Sequence, residues 1–415
     1  MSDNLLIIGG GGREHALAWK LRQSPHVGKI FMTALNHATA QIASLAPEER
    51  DELTDFCLRE KISLVVVGPE APLAAGVADN LRARDIPVLG PSKAAAEIES
   101  SKISAKQWMR NIRMPTAHFT VCESLEDARE WMAEYPPPHI VKADGLAAGK
   151  GVLICETQEE AEKGVIEMLN GQFGDASRRL LIERPLYGRE MSFIVLADGK
   201  NALPLATSQD YKRLEDGDKG LNTGGMGAIS PAPGDNSDLQ ARIMEKVITP
   251  ALRGMMELEA PFSGFLYAGL MIDDNDEISV LEFNCRLGDP ETQAILPRLQ
   301  DDLYPVLMAA VNGELSKQPP LSWSSQHATA VVLAAAGYPQ KPRSGDVIHL
   351  PADDDSLIFH AGTETDEDGV ARTSGGRILS VVGLGDTPDE SRNRAQEAAR
   401  KVEFEGVQYR RDIGK

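Results

Sequence analysis

The chain is expected to be an α/β and α+β multidomain protein, and three observations lead there. The N-terminal quarter alternates strand and helix patterns. The middle sets short β runs around glycine-rich turns. After a proline-rich break at Gln318-Pro319-Pro320, the chain turns to short strands followed by one helix. Alternation predicts a parallel sheet with crossover helices, and closely spaced paired runs predict antiparallel hairpins. At 415 residues the chain outgrows a single core, so about two to four domains are expected.

Taken in order, residues 5–8 form an apolar strand, 9–12 a glycine loop and 14–22 a helix by spacing. Strands follow at 29–32, 62–67 and 86–89, with helices at 53–60, 73–84 and from Lys93 onward. In the middle, 140–143 and 152–155 flank a glycine-rich loop and should pair as a hairpin. A helix at 159–169 and a strand at 180–183 come next, then a second antiparallel pair at 191–196 and 202–206. A glycine-rich stretch covers 217–227. A helix spans 239–258 with Pro250 placed to interrupt it, and strands run over 266–272 and 278–281. Beyond the break, strands are expected at 328–334, 347–350, 357–359 and 376–384, with a final helix at 391–403. The acidic tracts at 353–355 and 364–368 read as solvated turns.

Bulk properties narrow the function. A hydrophobic share of 42% and a charged share of 25% are those of an ordinary globular protein. A formal charge of −19 argues against nucleic acid or an anionic membrane as partner, because both require a basic footprint. The four cysteines, Cys57, Cys122, Cys155 and Cys285, are far apart. The N-terminus lacks the basic region of a signal peptide, and no apolar run reaches the length of a membrane span. A cytoplasmic, reduced protein is expected.

The most informative segment is LEFNCRLGDPETQ at 281–293. Glu282 and Asn284 lie two apart at the end of a strand, so they project into one cleft, with Arg286 next on that face. Hard oxygen ligands suit Mg²⁺, which takes the rest of its shell from water and substrate phosphates. A guanidinium beside them can hold a carboxylate or phosphoryl group. The same residues also fit an edge strand entering a polar turn. Alternation turns Cys285 away from the pair.

Two loops add anion chemistry. Gly9-Gly10-Gly11-Gly12-Arg13-Glu14 follows the first strand and opens a helix, which aims free N–H groups at an anion. The second strand ends without the acid that a dinucleotide site places there, so a single phosphate fits better. Gly68-Pro69-Glu70 ends a later parallel strand, where such sheets bind ligands, and Glu70 is a candidate ribose or amine contact. The loop at 145–151 has three residues between its glycines and leads into a strand, unlike a P-loop. A flexible hairpin tip over nucleotide phosphates explains it better, with Lys142 reaching phosphate oxygens.

The chain resembles the phosphoribosylamine–glycine ligases, a family of the ATP-grasp superfamily, over nearly its whole length. The resemblance rests on GGGGREHA at 9–16, GPEAPLAAG at 68–76, GPSKAAAEIESSK at 90–102 and VKADGLAAGKGV at 141–152. It continues through DYKRLEDGDKGLNTGGMGAISP at 210–231, YAGLM at 267–271, the segment at 281–293 and HAGT at 360–363. It implies a parallel-sheet domain at 1–103, an ATP-grasp domain at 104–317 with a mobile lid subdomain at about 121–187, and a small, mostly β C-terminal domain at 321–415.

The implied reaction uses ATP to phosphorylate the glycine carboxylate, after which the amine of 5-phosphoribosylamine attacks the acyl phosphate. By similarity, Glu282 and Asn284 hold Mg²⁺ or Mn²⁺, and Lys106, Lys142, Gly149 and Lys150 attend the ATP phosphates. Glu183, Arg184 and Leu186 border adenine, and Glu190 takes the ribose hydroxyls. Gly10, Gly11, Gly12, Arg13, Glu14, Pro69, Glu70, Asn222, Gly288 and Asp289 fall to phosphoribosylamine. Asp210, Lys212 and Arg286 surround the glycine and its acyl phosphate. The resemblance also implies a monomer. Three positions depart from the usual pattern: Gly10 stands for an asparagine, Leu221 for a proline, and Met271 where the wider superfamily often has an acidic ligand. Another ATP-grasp carboxylate–amine ligase and a non-catalytic nucleotide-binding regulator share the fold; the presence of Lys142, Glu282, Asn284 and Arg286 together speaks against the regulator.

Overall fold

The computed structural model describes all residues except 1, 35, 40–49, 146–150, 173 and 352–355. The expectations for Gly149 and Lys150, and for the acidic tract at 353–355, therefore lie outside the described residues.

The N-terminal sheet is parallel, in the order Val27–Met32, Asp3–Ile8, Ile62–Val67, Val88–Leu89. Its central strands are buried on both faces, as near-continuous apolar sequence requires. The helix expected over 73–84 is two helices, Glu70–Ala75 and Val77–Arg82. They break at Gly76, whose φ of 88° is left-handed and ends a helix. The expected helix from Lys93 begins later, as Glu97–Ser100 and Lys102–Asn111.

A four-stranded antiparallel sheet follows, in the order Phe119–Cys122, Leu180–Glu183, His139–Ala143, Val152–Cys155. The expected hairpin at its edge is present. Helices Leu125–Glu134 and Gln158–Glu167 cover it, and this unit has a core of its own built from Cys122, Trp131, Val141, Leu180 and Ile182. The sequence reading missed Phe119–Cys122 and Leu125–Glu134.

The central sheet is antiparallel, in the order Ala202–Pro204, Arg189–Asp198, Ser263–Ile272, Ile278–Asn284. Phe193, Leu266, Val280 and Phe283 share one core cluster with Val65 and Leu73 of the N-terminal unit. The long helix expected over 239–258 is Ser237–Ile243 and Thr249–Glu257, joined by the π-helical turn Met244–Ile248. Pro250 lacks the N–H that would continue the ladder, and the wider turn just before it accommodates that loss.

The last sheet draws on two parts of the chain. Its order is Gln209–Asp210, Gly227–Ser230, His327–Ala334, Arg377–Gly385, Leu357–His360. Helix Pro388–Lys401 packs on it. The strand expected at 347–350 does not form: Val347 and His349 make only isolated bridges, to Arg372 and Glu403. The N- and C-terminal units meet at a polar seam. The His360 N–H donates to His15 Nδ1 at 2.9 Å, and Asn36 Nδ2 donates to the carbonyls of Gly10 and His360 at 3.1 and 3.0 Å.

Candidate active site

In the strand Ile278–Asn284, Ile278, Val280 and Phe283 all enter the core. Even- and odd-numbered residues cannot share one face of a regular strand. The register resolves this. Gly269 pairs with Glu282 and the adjacent Leu270 with Val280, which leaves Leu281 as an extra residue in the ladder. Such a bulge shifts the alternation by one. It turns Phe283 inward and leaves Glu282 and Asn284 together on the cleft face, both half-buried.

Burial alone would raise the Glu282 carboxyl, but Lys212, Lys142, Lys102 and Arg286 together outweigh it and bring it down to about 2. It is ionised at neutral pH. A carboxylate and an amide oxygen on one face are hard donors, and they fit a divalent cation of the Mg²⁺ type. Among the described residues there is no group of three or more His, Cys, Asp or Glu able to hold a metal ion. Nucleotide phosphates and water would have to complete the shell.

Arg286 joins this strand to the N-terminal unit. Its Nε donates to Glu70 Oε2 at 3.2 Å, and one Nη2 contact reaches Glu99 Oε1 at 2.9 Å and another Asn284 Oδ1 at 3.3 Å. Glu99 also accepts from the Cys285 N–H at 2.7 Å. Burial, and then the Glu99 charge, pushes the Cys285 thiol far above its ordinary range. It stays protonated and is no nucleophile.

Lys106 and Lys142 flank one carboxylate. Glu183, at the end of its strand, lies 2.8 Å from Lys106 Nζ and 2.6 Å from Lys142 Nζ, and all three side chains are buried. Lys106 also donates to Thr116 Oγ1 at 2.5 Å. Burial lowers the Lys106 pKa to about 8, while Glu183, whose burial would raise it, is held low by Lys142 and Lys106. Beyond Glu183, Arg184 is exposed and Leu186 half-buried along the connection to Arg189–Asp198.

Glu190, Asp210 and Lys212 form a third group. Lys212 Nζ is 3.4 Å from Glu190 Oε2 and 3.9 Å from Asp210 Oδ1. Asp210, followed by Glu190, holds Lys212 well above its ordinary pKa. Burial, with Glu291, Glu190 and Glu282 nearby, holds Asp210 above the usual carboxylate range despite Lys212. Asn222 pairs in register with Arg213 beside this group.

At the glycine loop, Gly11 caps helix Gly12–Leu21 and its N–H donates to Glu14 Oε2 at 2.7 Å. Arg13 is committed to Glu14 Oε1 at 2.6 Å and to the Leu287 carbonyl at 3.1 Å. Gly12 begins the helix, where an N–H has no partner within it. Pro69 caps helix Glu70–Ala75. The Gly288 carbonyl accepts from Thr292 Oγ1 at 2.5 Å, and Asp289 Oδ1 accepts from Gln293 Nε2 at 2.8 Å.

Three family models match most of the chain: the N domain of phosphoribosylglycinamide synthetase at 3–99, its ATP-grasp (A) domain at 100–292 and its C domain at 328–415. A protein of Neisseria meningitidis named phosphoribosylamine–glycine ligase is 48% identical, with 99% of this chain and 98% of that protein covered. The chain belongs to the phosphoribosylglycinamide synthetase family. A relative of the same name from Escherichia coli O157:H7 is 46% identical over 99% of this chain and 97% of its own. The crystal structure of a phosphoribosylamine–glycine ligase from Thermotoga maritima aligns with a TM-score of 0.85 at 36% identity, covering 99% and 100% of the two chains. A biotin carboxylase domain from Hydrogenobacter thermophilus aligns with a TM-score of 0.75 at 16% identity, a likeness of fold alone.

Within this family architecture, side chains that the sequence reading passed over enter the cleft. Lys102 and Glu99 fall inside the block at 90–102 but were not singled out. Tyr267 Oη lies 2.9 Å from Ser192 Oγ, and Glu291 Oε1 accepts from the same hydroxyl at 3.3 Å. Arg377, from the C-terminal unit, pairs with Asp289. No local pattern marks Arg377, because its partners stand far away in the chain.

Proposed function

We propose that the chain joins glycine to 5-phosphoribosylamine with ATP, giving glycinamide ribonucleotide, ADP and phosphate in de novo purine biosynthesis. The observation that carries this is the Glu282–Asn284 pair aimed into the cleft by the Leu281 bulge, within reach of four cationic side chains. A full-length relative at 48% identity bears the name of that ligase.

In this reading a glycine carboxylate oxygen attacks the γ-phosphorus, the bond to the β,γ-bridging oxygen breaks, and ADP leaves. The amine nitrogen then attacks the carboxyl carbon, phosphate departs, and the amine loses a proton. Lys106 and Lys142 hold ATP phosphates, with Glu183 between them fixing their spacing. The segment from Glu183 to Leu186 borders adenine, and Glu190 holds the ribose. Arg286, Lys212 and Asp210 surround the glycine carboxylate and its phosphorylated form. The glycine loop, Pro69, Glu70, Asn222, Gly288 and Asp289 receive phosphoribosylamine. Mg²⁺, with Mn²⁺ as a substitute, would sit at Glu282 and Asn284 and neutralise charge developing on the phosphates. The protein's part is positioning and electrostatics, with no covalent nucleophile. The four described cysteines are free and buried, which suits a reducing cytoplasm, and we take the active form to be a monomer.

The test supplies ATP and Mg²⁺ with phosphoribosylamine generated in situ and follows phosphate release. Release that requires both glycine and phosphoribosylamine is expected. Equal turnover with bicarbonate in place of glycine would sink the proposal.

A further inference from the structure

Arg377 begins the strand Arg377–Gly385 and reaches out of the C-terminal sheet towards the cleft. Its Nη1 donates to the carbonyl oxygens of Gly224 and Asp289, each at 2.6 Å, and its Nη2 lies 3.3 Å from Asp289 Oδ2. Burial would raise the Asp289 carboxyl, but Arg377, followed by Arg13, keeps it below the usual range. With Oδ1 held by Gln293, the carboxylate is fixed at both oxygens. Its Oδ2 faces the glycine loop, 3.8 Å from where a Cβ on Gly11 would stand.

The same guanidinium holds a second wall. Tyr338 Oη accepts from the Gly224 N–H at 3.0 Å, so both backbone polar groups of Gly224 are bound from the C-terminal unit. Gly225 has φ +115°, and a Cβ on it would come within 2.5 Å of Pro290 Cδ, so this turn rests directly on Asp289-Pro290. Just before it, the Thr223 N–H and Oγ1 both donate to the Lys212 carbonyl at 2.8 Å.

We propose that Arg377 is a positioning residue for the phosphoribosylamine subsite, clamping Asp289 to the Thr223–Gly225 turn so that the carboxylate faces the Gly10–Gly12 loop. The inference rests on the ligase reading and refines it. A carboxylate in that place accepts from ribose hydroxyls or an amine, so it orients the sugar amine beside the glycine loop, whose free N–H groups are left for the phosphate. Two nitrogens of a planar fork divide the carboxylate and the two carbonyls between them here, a spacing that the single nitrogen of lysine does not reproduce.

The test compares R377K, R377M and D289N with the unaltered protein. KM for phosphoribosylamine is expected to rise at least about tenfold in each, while ADP affinity measured by titration calorimetry stays within about twofold. Because the two side chains act as a unit, R377M/D289N should be hardly worse than either single variant. A phosphoribosylamine KM within about twofold of the parent in R377M overturns the inference. So does a parallel loss of ADP affinity and unfolding temperature, which would mark a merely structural role. If the unaltered protein releases no phosphate in response to glycine and phosphoribosylamine, the ligase reading falls and takes this inference with it. A competent ligase with a normal R377M variant removes the inference alone.

Discussion

Glu282 faces more positive charge than its own charge can balance. Replacing it with glutamine keeps the shape and deletes the counter-charge, leaving Lys212, Lys142, Lys102 and Arg286 without it. Glu282→Gln should cut turnover by at least ~1,000-fold at millimolar Mg²⁺, about 4 kcal/mol of transition-state stabilisation. Phosphate release measures the loss, and an unchanged circular dichroism spectrum would show the fold is kept; undiminished turnover would remove Glu282 from the metal site. The pair Glu282 and Asn284 was legible in sequence because residues two apart share a face. The bulge that turns this face to the cleft was not legible, since it exists only in the register with Leu270 and Gly269. Arg377 was hidden for a similar reason: it meets the Asp289 carbonyl across 88 residues of chain.

Among the elements, the covered antiparallel sheet at 119–183 has its own core and should respond to local changes on its own. Helix Leu125–Glu134 starts with a capping box in which Ser124 accepts from the Asp127 N–H and Asp127 accepts from the Ser124 N–H. Ser124→Ala should cost about 1 kcal/mol, and hydrogen exchange should place the faster opening in this unit. Exchange spread evenly over the chain would contradict its independence. Hairpins here were readable from β-branched runs around glycine. The helix at 125–134 carries a local signal too, with Ser124 and Asp127 at capping-box spacing and Leu125, Ala128, Trp131 and Met132 at helical spacing, although the sequence reading passed over it. The π-helical turn before Pro250 lay out of reach: proline signals an interruption but not the form it takes.

At the scale of the whole molecule, the seam between the N- and C-terminal units is sensitive to acid. Burial first, and then neighbouring positive charge, lowers His15 to about 4 and His360 to about 3 from an ordinary 6.5. The folded chain stays neutral at these rings where the unfolded chain binds protons. Stability is therefore full above pH 6.5 and falls as the pH drops from there towards 4. Between pH 7 and 5 the loss should be about 1–2 kcal/mol per ring. Urea titrations at the two pH values measure it, and His15→Gln should flatten the slope; an unchanged slope would exclude His15 as a source. The three-unit plan was readable from the alternation at the N-terminus and the break at Gln318-Pro319-Pro320. Unreadable was the last sheet, which takes Gln209–Asp210 and Gly227–Ser230 from the middle of the chain.

That shared sheet sets a timetable for the newborn protein. Gly227–Ser230 leaves the ribosome well before its partner His327–Ala334 has been made. At roughly 5–20 residues per second the interval is on the order of ten seconds, during which a bare strand edge can pair with the wrong neighbour. Asp210 lies on the strand Gln209–Asp210 that pairs with the one that waits, and Lys212 follows two residues later. The acid–lysine corner of the cleft should thus be completed late in translation, after the strand that carries Glu282 and Asn284 has been made.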